Sequence, residues 1–340
     1  MRATILIPTY NRPKELKRLL HFLQFSQNPY PVVVLDGSTA ENQKINRENI
    51  RDFKLVIAFP FDPGMHLGTR LAIGLNEHVN TDYAILCGDD DFIIPQTITQ
   101  AITFLQENPE YSAVNGYVKC LAHPKNLSHL GLFAFLDDLK HPLVLEHPEF
   151  LARFLKLNAI AEAGCPPLFY ALRRTAQARE IFAKIPATLK YSSQEMLSNA
   201  LTVLWGKVTT LPSIMAIRNY SCEATRDEIR EDPTYIISPE DAVYIRETLG
   251  NEIRKINTTY SNEIINYTLD QFIKLPLTKF TSSKERFDVR SPFAKTLAYK
   301  KNWISYLVNL LFPGFNEKLD TSIKKNIVIA LKKAFKSQGR

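Results

Sequence analysis

Runs of consecutive hydrophobic residues alternate with amphipathic stretches along the first third of the chain. The continuous runs predict buried strands at 4–8, 32–35, 55–59, 83–87 and 111–118. Between these runs, leucines recur at three- and four-residue spacing and predict helices at 13–27 and 64–79, and Pro95 opens a further predicted helix at 95–106. Continuous apolar strands that alternate with helices are typical of a mostly parallel sheet with helices on both faces. The pattern therefore predicts an α/β fold.

The pattern becomes less regular after residue 118. Repeated prolines indicate loops and short helices over 119–190, followed by a predicted helix at 195–205 and a strand-like stretch at 208–217. Beyond Pro239 the pattern is mainly helical. We predict one domain over 1–235, divided into 1–118 and 119–235, and a helical, basic extension over 236–340.

Three polar clusters follow the first, second and fourth predicted strands. They are Thr9-Tyr10-Asn11-Arg12, Asp36-Gly37-Ser38 and Asp89-Asp90-Asp91. In open α/β sheets, ligands bind beyond the carboxyl ends of the strands, so we expect these clusters to lie together. Three adjacent carboxylates repel one another, and a hard cation such as Mn²⁺ or Mg²⁺ bound with a diphosphate would compensate. We therefore predict that Asp89, Asp90 and Asp91 hold a metal, with a solvated acidic turn as the alternative.

The other polar residues of these clusters each allow two interpretations. Asp36 precedes glycine and by itself favours a simple turn, although its carboxylate could accept a hydrogen bond from a nucleobase. Thr9, Tyr10 and Asn11 could contact a base or ribose, and Asn11 could also cap the following helix. Arg70, early in a predicted helix, could bind phosphate or lie on the surface.

A carboxylate outside the clusters is a candidate general base. Glu195 lies in the sequence Ser192-Ser193-Gln194-Glu195, at the start of a predicted helix. It could take a proton from a hydroxyl group, or it could form a capping box with Ser192. The histidines do not show a metal-binding spacing, and there is no nucleophile elbow, Walker loop or dinucleotide fingerprint.

Positive charge is concentrated at the C-terminal end. Residues 280–340 contain thirteen Lys and Arg against four Asp and Glu, whereas the whole chain has a net charge of +7. Residues 1–279 are therefore slightly acidic, which argues against nucleic acid as a partner of the first domain.

Cysteine spacing and hydropathy indicate in which cellular compartment the protein is expected. Cys87, Cys120, Cys165 and Cys222 are widely spaced, which argues against a zinc site and a disulfide scaffold and fits a reducing compartment. The first apolar run is too short for a signal peptide, and no stretch reaches the roughly 18 apolar residues of a spanning helix. We expect a cytoplasmic protein that is soluble or peripheral on the inner face of a membrane.

The C-terminal tail suggests contact with either a membrane or another part of the protein. Residues 303–315 are rich in aromatic and aliphatic side chains, and an apolar stripe follows at Ile323, Ile327, Ala330, Leu331 and Ala334. Lysines crowd the same segment at Lys324, Lys325, Lys332, Lys333 and Lys336. A basic amphipathic helix beside aromatic residues is typical of an interfacial membrane anchor, so 303–340 is a candidate for contact with anionic lipid. Packing of the stripe on the first domain or on a partner subunit is the alternative.

Taken in order, these motifs resemble the family 2 glycosyltransferases of the GT-A fold. The resemblance rests on Ile7-Pro8-Thr9-Tyr10-Asn11-Arg12, Leu35-Asp36-Gly37-Ser38 and Asp89-Asp90-Asp91-Phe92-Ile93-Ile94-Pro95. It is specific over 1–118 and weaker over 165–220, where Gln194-Glu195 stands where the family often has Glu-Asp.

The resemblance implies a role for each of these residues. Asp36 would bind the base of a nucleotide-sugar, a UDP-sugar by analogy, and Thr9 to Arg12 would line the nucleoside pocket with Arg70 near the phosphates. Asp89 to Asp91 would hold the ribose and a metal on the diphosphate, and Glu195 would be the base of an inverting transfer. The acceptor would be a glycan or a lipid-linked hydroxyl, as in the synthesis of surface polysaccharides, and a homo-oligomer stays open.

Two other functions remain possible from the sequence. A sugar-1-phosphate nucleotidyltransferase shares the fold and the need for metal, but normally carries a glycine-rich loop after the first strand, which Pro8 to Pro13 lacks. A degenerate GT-A domain that only binds or scaffolds is the other alternative, and the three intact aspartates argue against it.

Overall fold

The computed structural model describes residues 2–122, 134–137, 143–162, 168–219, 237–273 and 321–336. Its strands are β1 (Ala3–Thr9), β2 (Val32–Asp36), β3 (Val56–Pro60), β4 (Tyr83–Leu86), β5 (Phe92–Ile93), β6 (Tyr111–Ala122), β7 (Ala134–Asp137), β8 (Leu172–Arg174) and β9 (Lys207–Asn219). Within the described residues these nine strands form one sheet in the order β3-β2-β1-β4-β8-β6-β9-β5, with β7 paired to β6.

Helices cover both faces of this sheet. They are α1 (Pro13–Phe25), α2 (Ala40–Ile50), α3 (Leu67–Ile73), α4 (Pro95–Glu107), α5 (Phe150–Glu162), α6 (Thr175–Ala183), α7 (Tyr191–Trp205), α8 (Pro239–Ile256), α9 (262–273) and α10 (Thr321–Lys336). A π-helix (Gly74–His78) continues α3, and a short 3₁₀-helix (Leu168–Tyr170) precedes β8. The predicted α/β class with a helical extension is confirmed.

The first half of the sheet is parallel, as predicted. β1 lies between β2 and β4, and β2 pairs with β3, all in parallel register. Every residue of β2 and β4 is buried, which explains why these strands have continuous apolar sequences. The carboxyl ends of β1, β2 and β4 therefore open onto one edge, where the three polar clusters follow.

The second half of the sheet is mixed, which the sequence pattern did not predict. β8 runs antiparallel to both β4 and β6, and β5 runs antiparallel to β9. Long parallel pairing of β6 with β9 contains a register shift between Gly116 and Tyr117, opposite Pro212. A bulge accommodates proline in a strand because the ladder is interrupted there. Gly116 is required at this bulge, since a Cβ atom would lie 2.5 Å from the Ser213 carbonyl oxygen.

The extension shares a core with the first domain. Ile245, Leu249 and Ile253 of α8 are buried in the same cluster as Leu197 and Leu201 of α7. The division at 235 stays a prediction, but α8 packs directly on the helix that precedes it across that boundary.

The apolar stripe of the tail packs on protein. Four of its residues are buried in the same cluster as α1: Ile327, Ala330, Leu331 and Ala334. The Lys333 ammonium lies 5.6 Å from the centre of the Phe25 ring on α1. The stripe is therefore not available to a membrane, and the packing alternative is correct for this part of the tail. The aromatic run at 303–315 lies outside the described residues, and no described helix is long and apolar enough to cross a bilayer.

Candidate active site at the carboxyl ends of the strands

The end of β1 is joined to the aspartates that follow β4. The Thr9 hydroxyl donates a hydrogen bond to Asp89 Oδ2 at 2.7 Å. The Arg12 guanidinium lies 3.4 Å from Asp89 Oδ1 and 3.2 Å from Asp90 Oδ2. Parallel pairing of β1 with β4 brings the two clusters to the same edge, as expected from their positions in the sequence.

A second set of hydrogen bonds joins the β1 cluster to the β2 cluster. Asn11 has a positive φ of 55°, which directs its backbone N–H to the Ser38 hydroxyl at 2.8 Å. Its side-chain oxygen accepts the Thr39 N–H at 2.9 Å. The alternative role of Asn11 as the cap of α1 is wrong, because the N-cap residue is Arg12 and its side chain makes no capping hydrogen bond. Beside them the Tyr10 side chain is 45% exposed, so its ring is accessible.

Asp36 is buried and fixed at both oxygens. Its Oδ1 accepts the Ser38 N–H at 3.0 Å, which is the turn that the sequence favours. Its Oδ2 accepts the side-chain amide of Asn46 at 2.9 Å, a residue of α2 that sequence reasoning missed. Each carboxylate oxygen has two lone pairs, so these contacts leave acceptor capacity for a ligand.

Arg70 lies beneath the site. Its guanidinium is buried and donates to the carbonyl oxygens of Thr9 at 3.0 Å and Leu35 at 3.2 Å. It passes so close under Gly37 that a Cβ atom there would lie 2.2 Å from Arg70 Nη1. Burial lowers the pKa of Arg70, while Asp36 and Asp89 raise it in part. In this position Arg70 joins the ends of β1 and β2 through hydrogen bonds, which is a structural role rather than a contact with phosphate.

Asp91 points away from Arg12. One carboxylate oxygen accepts the Tyr170 hydroxyl, and the other accepts the backbone N–H of Asn219 at 2.8 Å. Sequence reasoning missed both partners, because a single tyrosine and a backbone amide more than 70 residues away carry no local signal. These bonds hold the loop after β4 against β9 and the 3₁₀-helix.

The three aspartates are held in a desolvated, mutually repulsive arrangement. Burial, followed by the Asp90 charge, raises the pKa of Asp89 to about 7. The same two causes raise the pKa of Asp91 to about 6, with Arg218 and Tyr170 opposing them. Asp90 is the more exposed of the three, since Asp89 and Asp91 are buried. A cation at this position would relieve the repulsion that raises both pKa values.

These carboxylates could hold a hard divalent cation only if a bound ligand supplied further oxygen atoms to it. Among the described residues, no group of three or more His, Cys, Asp or Glu side chains is placed to hold a metal. The prediction that all three aspartates converge on one ion is therefore not supported by their geometry. Magnesium-type sites commonly use one or two carboxylates and complete their shell with substrate phosphates and water, and this donor set suits that mode.

Glu195 directly follows the first turn of α7 and is partly buried. The capping box with Ser192 is wrong, because the helix begins at Tyr191 after the N-cap residue Lys190. Burial raises the pKa of the Glu195 carboxyl, and the charge of Arg218 offsets part of that shift. Arg218 also lowers the pKa of Asp91, so one cation influences both carboxylates.

The residue before Glu195 connects α7 to the loop before α3. The side-chain nitrogen of Gln194 lies 3.0 Å from both ring nitrogens of His66, and it donates to the Leu189 carbonyl oxygen at 2.8 Å. Gly68 is required here, because a Cβ atom would lie 2.9 Å from Gln194 Oε1. His66 is the N-cap residue of α3.

Comparison with known proteins agrees with this fold. Residues 4–165 match the sequence model described as Glycosyl transferase family 2. A search of curated proteins finds no significant match. Residues 4–165 form a glycosyltransferase family 2 domain, and the protein is a glycosyltransferase.

Solved structures with the same fold include TarS of S. aureus. TarS 1–349 is 17% identical, with a TM-score of 0.56, and the alignment covers 100% of this chain and 92% of that chain. TarS 1–349 in complex with UDP-GlcNAc is 16% identical, with a TM-score of 0.59 and coverage of 100% and 93%. Against a longer TarS chain the identity is 16%, the TM-score is 0.55, and the alignment covers 99% of this chain but 55% of that one.

Proposed function

We propose that this glycosyltransferase moves a sugar from a UDP-sugar to the hydroxyl group of a glycan or lipid-linked acceptor, with Mn²⁺ or Mg²⁺ and with inversion. The observation that carries the proposal is the junction of three strand ends in one site. Thr9 bonds to Asp89, and Asn11 bonds to Ser38 beside Asp36. The site thus brings a ring, fixed polar groups and an acidic cluster to one edge of the sheet.

The nucleoside would lie against the ends of β1 and β2. The exposed Tyr10 ring offers an apolar face for a base, and the Asp36 carboxylate, held by Ser38 and Asn46, offers an acceptor for the imide N–H of uracil. Cytosine lacks this N–H, so the pocket should prefer UDP to CDP. UDP is also the natural first choice because the similarly folded TarS 1–349 binds UDP-GlcNAc.

The diphosphate would lie near the aspartates. Asp90, the more exposed carboxylate, would bind the metal together with phosphate oxygens, with Asp91 or Asp89 as the second carboxylate. A bound cation would stabilise the negative charge that develops on the departing diphosphate. Arg12, between Asp89 and Asp90, would limit their repulsion and contact the same charge.

Glu195 would take the proton from the acceptor hydroxyl. A raised pKa brings a carboxylate closer to the range in which it both accepts a proton and is ionised at neutral pH. One base opposite the leaving group requires a single displacement, so the transfer would invert the anomeric centre.

The proposed acceptor leaves a role for the basic tail. Lys332 and Lys333 are exposed on α10, although the Lys333 ammonium also lies near the Phe25 ring of α1. We keep peripheral contact with anionic lipid as a proposal for these lysines and for 303–320, since such contact would bring the enzyme to a lipid-linked acceptor.

A thermal-shift panel tests the donor and the metal together. UDP, GDP, CDP and dTDP would each be measured with Mn²⁺ and with EDTA, because a bound ligand raises the melting temperature of the native state. We expect the largest shift with UDP and Mn²⁺, and little shift with UDP and EDTA. A larger shift with GDP would contradict the uracil assignment, and equal shifts in EDTA would contradict the metal assignment. Release of UDP from UDP-GlcNAc by water, with Mn²⁺ and without acceptor, would separate a transferase from a protein that only binds.

A further inference from the structure

The first turn of α7 has no cap from its own sequence. Its N-cap residue, Lys190, makes no side-chain capping hydrogen bond, although the first N–H groups of a helix lack partners within the helix. Gln194 closes this turn and Glu195 is the next residue of the helix, so the orientation of the turn affects where the Glu195 carboxylate lies.

Asp241 of α8 supplies the missing cap from another part of the chain. Its Oδ2 accepts the Lys190 N–H at 3.2 Å and also accepts the Ser193 hydroxyl. Asp241 and Ser193 are both buried, so water does not compete strongly for these contacts. A negative charge at a helix N-terminus is also favourable, since it faces the positive end of the helix dipole.

Asp241 is itself held firmly. Its backbone N–H donates to the hydroxyl of Ser238, the N-cap residue of α8, at 3.1 Å. Beyond it, Ile245 and Leu249 of α8 pack in the core that also contains Leu197 of α7. The aspartate is thus a fixed point on a helix that is packed along α7.

The opposite side of the same turn contacts the loop before α3 through Gln194 and His66. The turn is therefore fixed from two sides, by Asp241 and by this loop. Without Asp241, the Lys190 N–H and the Ser193 hydroxyl would seek other partners, and the turn could tilt or fray. A displacement of about 1 Å in a reacting group can cost roughly 100-fold in rate.

We propose that Asp241 is a positioning residue of the transferase, which sets the orientation of Glu195 from the C-terminal extension. The inference rests on the proposed role of Glu195 as the base. It makes α8 a part of the catalytic apparatus, although the sequence pattern places α8 beyond the first domain.

The test compares Asp241→Ala, Asp241→Asn and Ser193→Ala with the matched control Glu252→Gln. Glu252 is a buried carboxylate on the same helix, but it pairs with Lys184 and Lys255, away from the start of α7. Release of UDP from UDP-GlcNAc with Mn²⁺ would give kcat and KM. Hydrogen exchange of residues 190–196 would report the order of the turn.

We expect Asp241→Ala to lower kcat about tenfold or more, with KM for UDP-GlcNAc changed by less than about twofold. Asp241→Asn keeps an acceptor oxygen and should recover part of kcat, whereas Glu252→Gln should keep nearly all of it. Exchange at 190–196 should accelerate in the Asp241 and Ser193 variants only. If Asp241→Ala does not fold, Asp241→Asn and Ser193→Ala decide the question.

A lower melting temperature with unchanged kcat would make Asp241 merely structural and overturn the inference, as would an effect on KM alone. Glu195→Gln, measured in parallel, separates the two proposals. If it retains turnover while Asp241→Ala loses it, the base assignment fails and the positioning of α7 stands. If the wild type does not hydrolyse UDP-GlcNAc, the proposed donor fails, and unchanged exchange at 190–196 would then overturn the role of Asp241.

Discussion

The strand-end carboxylates and Glu195 are held in opposite ways. Asp36, Asp89 and Asp91 are buried, and each accepts at least one hydrogen bond from a fixed neighbour. Of the described residues, none donates a hydrogen bond to the Glu195 carboxylate, although the turn just before it is held by contacts with Asp241 and His66. The difference suggests a division of work, in which the strand ends form a rigid receptor and Glu195 keeps its oxygens for a substrate proton. Substitutions should then separate into those that cost stability and those that cost only turnover.

The largest expected effect is at Glu195. Glu195→Gln keeps the shape of the side chain but cannot take a proton, so turnover should fall by about 100-fold or more, the usual scale of general-base catalysis. The melting temperature and the affinity for UDP with Mn²⁺ should stay the same, because no hydrogen bond of the fold is lost. Glu180→Gln, at an exposed position of α6, is the control and should retain full activity. Normal turnover in Glu195→Gln would remove this residue from the mechanism.

A smaller loss should follow from removing the exposed aspartate. Asp90→Ala should weaken the binding of UDP in Mn²⁺ by about tenfold or more, since a metal contact to the diphosphate contributes several kcal/mol of charge stabilisation. Binding of UDP in EDTA should change little. Calorimetric titration with and without Mn²⁺ measures both quantities. Unchanged metal dependence in this variant would show that Asp90 is not a ligand.

Asp91 should act mainly on stability. Asp91→Ala leaves the Tyr170 hydroxyl and the Asn219 N–H buried without their acceptor, and each such loss costs about 1–3 kcal/mol. Asp90→Ala should cost less stability, since Asp90 is the more exposed carboxylate. Urea unfolding of the two variants under metal-free conditions tests the contrast. Equal free energies of unfolding would mean that the two carboxylates do not differ in structural role.

The contact of Arg70 with the ends of β1 and β2 predicts that substitutions at Gly37 and Arg70 have coupled effects on stability. Gly37→Ala would push the Arg70 guanidinium away from the carbonyl oxygens of Thr9 and Leu35, at an expected cost of about 1–3 kcal/mol. In an Arg70→Ala background the same change should cost much less, because the obstacle is gone. Gly64→Ala is a matched control, since its Cβ atom would meet only the side chain of Asp62 at 3.1 Å. If the costs of Gly37→Ala and Arg70→Ala to the free energy of unfolding were additive, the proposed contact of Arg70 beneath Gly37 would be contradicted.

Sequence patterns predicted the site at the strand ends well, because each motif that indicates it is a short continuous stretch of the chain. β1, β2 and β4 are continuous apolar runs, and their clusters follow at once in the chain. β5 and β8 have only two and three residues, too few to show a period. α2 was missed because it buries little more than Asn46 and Ile50. Length and amphipathicity therefore decided which elements could be predicted.

The missed parts of the site depend on tertiary packing. The Tyr170 contact to Asp91 and the Asp241 contact to α7 join residues far apart in sequence, through pairings that no motif encodes. The sequence left Arg70 as either a phosphate ligand or a surface residue, and only the fold shows that its guanidinium donates to two strand-end carbonyl groups. Residue type at a motif predicts chemistry, whereas burial decides whether that chemistry faces a ligand.

The smallest expected effect is a dependence of metal-free stability on pH. In the folded protein the pKa of Asp89 is about 7 and that of Asp91 about 6, both above the ordinary 3.8. The folded state therefore holds protons that the unfolded state releases between about pH 4 and 7, so stability should fall as pH rises through this window. In EDTA the melting temperature should drop by a few degrees between pH 5 and 8. Mn²⁺ with UDP should reduce the drop, because the cation stabilises the ionised carboxylates.

Asp90→Asn is the control that shows whether this pH dependence of stability comes from the strand-end carboxylates. The Asp90 charge is the second cause of both shifts, after burial, so its removal should lower both pKa values and flatten the profile in EDTA. Burial lowers the pKa of His21 and of His66, but the Asp90 variant leaves both rings in place, so their contribution cancels in the comparison. A slope that is the same in wild type and Asp90→Asn would locate the pH dependence elsewhere. The strand-end carboxylates would then be less repulsive than their burial indicates, and the case for a compensating cation would lose its electrostatic support.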